Sequence, residues 1–505
     1  MSESKNATEK MPLPDTEKIR SAIKASLPLS ITTYTLPHEM EIYMNRVLTI
    51  FLHELDQDFM TEYLTYCLNE LITNSKKANT KRIYFREKDL DITDMHDYTV
   101  GMEHFKHETL GNIDHYLVLQ KQAGLYVKLI LQAKNNKIKL EIRNNCELTV
   151  YEYKRMHDKL SRAQQYHSIE DAMTQLLDET EGAGLGLIIL ILMLQKIGLT
   201  DENFQIVCEN GETITRIILP MNENQQNQIS SLSAEIANQI QTIPKFPENI
   251  TTINRLLNDP DSKLSDIVMH ISNDVSLTTD LLRMVNSAAF GLNEPCTNVA
   301  AAVKLIGLRG IKNLMYSIGT LQNLDPAGSD RKELWDHSAR TAFYAYNLSR
   351  NFCRAEPNLI SVSYVCGLLH DIGKIVFDCA HPDLISKLQT LCTEKNIPQR
   401  VLEKIIAGVN HAEIGALVTR KWNFPEIITD VIKYHHLPEC SAPENRKLVQ
   451  IVYLANLLTH YQKGEVDFYQ FDPDVLAVFK ISSEEQLKII SDKLQEHFEQ
   501  HPETP

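Results

Sequence analysis

The sequence has no C-x-x-C pair; its nine cysteines are scattered through 505 residues. The N-terminus, Met1-Ser2-Glu3-Ser4-Lys5, starts no secretory pattern. Reduced thiols are therefore expected, not a disulfide framework. Long apolar runs are also lacking. The most apolar one, residues 185–194, falls short of the ~20 residues that a membrane-spanning helix needs, so no membrane span is expected. Basic charge is in deficit, with 51 Lys and Arg against 66 Asp and Glu, a net charge of −15. That excludes broad nucleic-acid binding, which needs basic surface. No receiver domain, transmembrane sensor or DNA-binding motif is visible. The expectation is a cytoplasmic protein, 43% hydrophobic, of more than one domain.

What is present centres on one stretch, Gly367-Leu368-Leu369-His370-Asp371-Ile372-Gly373-Lys374. An apolar run delivers a His-Asp pair to the end of a predicted buried helix. Adjacent helical side chains lie about 100° apart, so both can face one pocket wall and share a metal or a phosphate. His337, His411, His435 and His436 fall on other predicted helices. Gathered in a bundle, they would form with Asp371 a ligand set that suits Mn, Fe or Zn. Taken singly, each is more often a core or surface histidine.

The chain before this half reads differently. Residues 1–34 look like a polar tail. Helices are predicted over 39–55 and 59–77, then a strand at Lys81-Arg82-Ile83-Tyr84-Phe85. Glu70, Asn74 and Lys77 share one face of the second helix. A carboxylate, an amide oxygen and an ammonium there could hold Mg²⁺ and touch phosphate, although a solvated polar face has the same pattern. A hairpin is predicted around Lys134-Asn135-Asn136-Lys137 and a closing one around Asn210-Gly211. Between them, Gly182, Gly184 and Gly186 precede an apolar helix, where free N–H groups can meet a polyanion. The Asn/Gln-rich stretch 222–228 opens a linker over 222–240, with a short helix predicted over 231–240. Beyond it the pattern is helical throughout, to residue 460 and through the C-terminal helices and tail of 461–505.

Residues 35–221 resemble the histidine-kinase-like (GHKL) ATPases. Glu70 and Asn74 match that family's N-box, and Gly182, Gly184 and Gly186 its glycine-rich lid. The resemblance implies an α/β two-layer sandwich that takes ATP and Mg²⁺. Where the family has Asp-x-Gly-x-Gly, this sequence has Asn144-Asn145-Cys146, so Asn144 would meet the base without charge assistance. No phosphoacceptor helix pair with a His-Glu start precedes the domain, which argues against autokinase activity.

Residues 241–460 resemble the HDOD family, relatives of the HD phosphohydrolases. The resemblance rests on Ile243-Pro244-x-Phe246-Pro247, Asp274-Val275-Ser276-Leu277, Trp335-x-His337, the His-Asp stretch, Asn410-His411-Ala412-Glu413-Ile414-Gly415, Trp422 with Pro425, and His435-His436. It implies an all-α domain in a signalling protein. His337, His370 and Asp371 match the first three metal ligands of the HD phosphohydrolases. His411, His435 and His436 match those their binuclear relatives add, with Lys374 a candidate catalytic residue beside them. Asn456 stands where a last Asp is expected, and Leu437-Pro438-Glu439 replaces the Gly-Tyr-Pro motif of the cyclic-dinucleotide phosphodiesterases. Three functions stay open: a regulator that binds another signalling protein, including as a homodimer; a metal-dependent phosphohydrolase or cyclic-dinucleotide phosphodiesterase; and a nucleotide-gated switch.

Overall fold

The computed structural model describes residues 14–110, 112–163, 188–191, 194, 203–221, 234–287, 290, 292, 295–324, 332–354, 356–380 and 398–500. The chain divides into two compact units, Met1–Ser231 with Ser386–Gly408, and Leu232–Ile385 with Val409–Pro505.

The first unit is built on an antiparallel sheet of β1 (Leu29–Thr33), β2 (Val127–Lys134), β3 (Lys137–Asn144), β4 (Phe204–Glu209) and β5 (Glu212–Pro220), in the order β1-β2-β3-β5-β4. Both expected hairpins are present. Asn135 and Asn136 turn the first at φ 53° and 58°, the left-handed pair that a two-residue turn needs. Asn210 and Gly211 turn the second at φ 55° and 79°. Ile138, Leu140 and Ile142 line the buried face of β3, and α3 (Thr61–Glu87) packs against that strand. The other face carries Glu141, which is fully buried between Arg143 and Arg216. Helices α1 (Thr16–Lys24), α2 (His38–His53), α4 (Met95–Leu110), α5 (Ile113–Gln122) and α6 (Val150–Ala163) complete the described part.

Two expectations fail here. Residues 81–85 are not a strand but the last turns of α3, a helix of 27 residues. Ile83, Tyr84 and Phe85 are consecutive and all buried, because this end of the helix is wrapped by Tyr98, Tyr116 and Leu125. The expected tail is also ordered in part. Asp15 caps α1 by accepting from the Lys18 amide at 3.0 Å, and Leu29–Thr33 is the edge strand of the sheet.

Among its described residues the second unit is helical. It contains α7 (Ala234–Thr242), α8 (Glu248–Asn258), α9 (Leu264–Ser272), α10 (Val275–Val285), α11 (Val299–Leu324), α12 (Lys332–Phe352), α13 (Pro357–Leu369) and α14 (Ile372–Ala380). The chain then supplies α15 (Gln399–Ala407) to the first unit. There Glu62 on α3 pairs with Arg400 and Lys404, each at 3.3 Å. It returns with α16 (His411–Lys421), α17 (Glu426–Tyr434), α18 (Arg446–Gln462), α19 (Pro473–Val478) and α20 (Glu484–Glu499).

The short helix expected over 231–240 is present. Residues 222–233 lie outside the described set, but Ala234–Thr242 is helix α7 of the second unit. Its C-terminal carbonyls accept from Lys421 Nζ at 2.7–3.0 Å, a cation at a helix C-terminus. The Ile-Pro-x-Phe-Pro stretch then docks: Trp422 Nε1 donates to the Pro244 carbonyl at 3.0 Å, and Phe246 packs on Trp422 and Phe424. Asp274 caps α10, as its position predicts, by accepting from Leu277 N at 2.9 Å. Residues 357–380, covering α13 and α14, are long and apolar enough to cross a membrane, yet 78% of the 18-residue apolar window within them is buried in the protein. They form the core of the unit that carries the His-Asp pair.

Candidate metal centre

The His-Asp pair sits at a helix junction. α13 ends at Leu369, His370 is its C-cap, and Ile372 opens α14. The last carbonyls of a helix lack partners. His370 supplies one, since its Nδ1 lies 2.8 Å from the Gly367 carbonyl. A carbonyl only accepts, so Nδ1 carries a proton and Nε2 is the atom turned toward Asp371. His435 repeats the device at the C-cap of α17, with Nδ1 2.7 Å from the Ile432 carbonyl. His411 is the first residue of α16, whose start is fixed by a reciprocal capping box of Asn410 and Glu413. His337 projects from the second turn of α12.

The glycines of the stretch have a packing role. A methyl on Gly367 would lie 2.7 Å from Ala342 Cα, and one on Gly373 would strike the backbone of His411 and Gly415. These two close crossings bring α13 against α12 and α14 against α16.

All six expected ligands converge. Asp371 Oδ2 lies 3.3 Å from His370 Nε2 and 3.6 Å from His337 Nε2. Its Oδ1 lies 3.3 Å from His411 Nε2 and 3.6 Å from His435 Nε2. His411 and His436 face each other, Nε2 to Nε2, at 3.0 Å. The ligand atoms fall into two groups, His337 with His370 and Asp371, and His411 with His435 and His436, each within 4.8 Å of one another. Asp371 is 1% exposed, and His370 and His435 are 0% exposed. Burial works against charge on Asp371, but His370 and Lys374 outweigh it and hold the carboxyl well below its ordinary range. Lys374 Nζ lies 2.6 Å from Asp371 Oδ2. Burial holds His337 and His435 well below their ordinary values, so both are neutral.

The sequence does not single out Thr459 and His460, one turn beyond Asn456 on α18. Thr459 Oγ1 lies 3.1 Å from His337 Nδ1, and the His460 ring lies against His337, tilted by 45° with centroids 4.9 Å apart. Their spacing from Asn456 was the available signal. Asn456 itself is buried, and its Oδ1 has no hydrogen-bond partner.

In the first unit, Glu70, Asn74, Lys77 and Asn144 line one cavity of about 300 Å³. Asn74 donates to Glu70 at 3.1 Å, and Lys77 is exposed. Asn144 is buried and makes a long contact of 3.4 Å to Asn79. Gly182, Gly184 and Gly186 lie outside the described residues. The sequence reading missed Glu152, also in the wall, which accepts from Lys81 at 2.7 Å and Arg82 at 2.6 Å. Burial opposes its charge, yet these two cations hold its carboxyl down to about 2.

Residues 243–438 match the HDOD domain family. The chain carries an HDOD domain. It is also 47% identical over 487 residues to an uncharacterized protein of Treponema pallidum (strain Nichols), covering 96% of this chain and 94% of that one. The two belong to one family. Among solved structures, an HDOD domain protein with unknown function from Geobacter sulfurreducens aligns with 22% identity and a TM-score of 0.42, over 52% of this chain and 94% of that chain. A virulence factor from Campylobacter jejuni aligns with 18% identity and a TM-score of 0.29, over 53% and 98%. At those scores the structural matches carry no argument about activity. The family match covers His337, His370, Asp371, Lys374, His411, His435 and His436 and ends before Asn456, Thr459 and His460. In this HDOD domain the donor set of imidazoles and one carboxylate could hold a metal ion.

Proposed function

We propose that this chain is a signal-transduction protein whose HDOD domain holds divalent transition metal at the His337, His370, Asp371, His411, His435 and His436 cluster. One observation carries the reading. His337 Nε2, His370 Nε2, His435 Nε2 and Asp371 Oδ1 are all buried, and none has a hydrogen-bond partner. His337 and His435, kept neutral by burial and with Nδ1 engaged elsewhere, turn lone pairs toward a carboxylate. Acceptors facing acceptors at 3.6 Å, as His337 and His435 face Asp371, repel unless a cation lies among them, and buried unpaired acceptors are costly. The backbone carbonyls behind His370 and His435 are the outer partners that metal-bound histidines usually have.

A second reading, hydrolysis of a phosphoester or cyclic dinucleotide, is favoured by the division of the ligands into two groups around one shared carboxylate. Bound metal would supply a Lewis acid and an acidified water. Lys374, beside Asp371 and 21% exposed at its side chain, would meet phosphate oxygens. Asn456, a neutral amide where the resemblance implies a carboxylate, weighs against turnover.

In the first unit, the cavity lined by Glu70, Asn74, Lys77 and Asn144 supports a GHKL-like nucleotide-binding role that would gate the HDOD domain. Calorimetric titration of chelator-treated full-length protein with Mn²⁺ or Zn²⁺ tests the metal reading, and a phosphodiester screen of the loaded protein tests turnover. Binding without turnover leaves the signalling role. Absence of binding removes the metal reading. Magnesium ATP at about 100 times its Kd would stabilise the N-terminal unit by ~2.7 kcal/mol, an effect that Asn74→Ala should abolish.

A further inference from the structure

We infer that Thr459 is a positioning residue that locks His337 as the Nδ1–H tautomer and so turns its Nε2 lone pair into the HDOD cluster. The inference rests on the metal reading above and adds a residue to it.

A threonine hydroxyl has one proton. The Thr459 hydroxyl donates it to the Asn456 carbonyl, one turn back on α18, at 2.7 Å. Toward His337 Nδ1, at 3.1 Å, it can then offer only a lone pair. Nδ1 must carry the hydrogen, and Nε2 is bare. The reverse polarity would place an Nε2–H against Asp371 at 3.6 Å, beyond hydrogen-bond reach. His337 Nε2 indeed has no hydrogen-bond partner.

The comparison within the cluster explains why a side chain is needed. His370 and His435 stand at helix C-caps, where a free carbonyl three residues back takes each Nδ1–H. His337 stands inside α12, where the carbonyls of the preceding turn are already spent on the helix. Its acceptor has to come from another helix. Thr459 lies 122 positions away in sequence, is 1% exposed, and meets the ring edge. His460, the next residue, packs beside the ring, tilted 45° to it, and is itself tied to Glu465 through Nδ1 at 2.5 Å. One turn of α18 therefore sets the tautomer of His337.

The test uses the full-length chain with T459V, which keeps the side-chain shape and removes the acceptor, and T459S, which keeps the acceptor. Nitrogen-15 imidazole spectra without metal, with His337→Ala to assign the resonance, read the tautomer. Competition against a chelator reads Zn²⁺ affinity. Wild type and T459S should show Nδ1–H at His337. T459V should show a mixture, with Zn²⁺ affinity lowered about 10- to 100-fold against less than about threefold in T459S. A wild-type His337 in the Nε2–H form overturns the inference, whatever the variants do. So does a T459V protein that keeps both tautomer and affinity. The tautomer is read without metal, so a protein that binds no zinc would sink the metal reading while still deciding the part played by Thr459.

Discussion

Gly373→Ala is the sharpest perturbation of the helix crossing that assembles the cluster. The added methyl would sit 2.7 Å from Gly415 N and 2.8 Å from the His411 carbonyl carbon, and it would overlap the His411 carbonyl oxygen more deeply still. None of these is the end of a flexible side chain, so α14 or α16 has to move as a body. Overpacking of this kind costs about 1–3 kcal/mol, which in a domain of this size lowers Tm by roughly 2–4 °C per kcal/mol. The consequence at the site should be larger than the consequence for the fold. Asp371 lies just before α14 and His411 opens α16, and metal sites tolerate only about 0.2 Å of error in ligand distance. Thermal unfolding and metal content should be read on the same samples. The expected result is a folded variant with a modest Tm loss and metal content reduced at least about tenfold, in line with a misplaced ligand. Gly464→Ala is the control. Its φ of +70° strains any side chain while nothing lies within 4 Å, so it should lose stability and keep metal. A Gly373→Ala protein with wild-type metal affinity would refute the argument that this crossing positions the ligands.

Acid should act on the two units through different groups. His337 and His435 are held neutral by burial, so below the ordinary histidine pKa of about 6.5 the unfolded chain takes up protons that the folded chain refuses. HDOD stability should fall as pH drops from 7 to 5 in metal-free protein, read by thermal melts, and an unchanged Tm would contradict it. Glu152 is held down to about 2. Its contribution is present above its unfolded pKa and lost as pH falls from roughly 5 toward 2. Glu152→Gln should remove that acid step from the N-terminal unit and destabilise it at pH 7 by about 3 kcal/mol, since Lys81 and Arg82 lose their shared partner. Denaturant melts at both pH values check this.

The His-Asp junction was legible in the sequence because an apolar run stops at a charged pair. The six candidate ligands, which the structure brings together, were legible because the resemblance spans them. Gly367 and Gly373 were legible as motif positions, and their physical reason needed the helix crossings. Thr459 was not legible, because a hydroxyl that orients a ring 122 positions away leaves no local pattern. Residues 81–85 misled because a run such as Ile83-Tyr84-Phe85 suits a strand as well as a helix buried on several sides. Leu29–Thr33 was missed because an edge strand of five residues, half exposed, offers too few alternations to be separated from polar chain.

Metal content decides the central claim. Full-length protein purified without chelator should be measured by mass spectrometry beside His370→Ala/Asp371→Ala, with circular dichroism to show that both are folded. About one or two Mn, Fe or Zn per wild-type chain, absent from the folded double variant, is the predicted result. No metal in well-folded wild type would contradict the account. The unpartnered Nε2 atoms would then have to be explained by protons shared with Asp371.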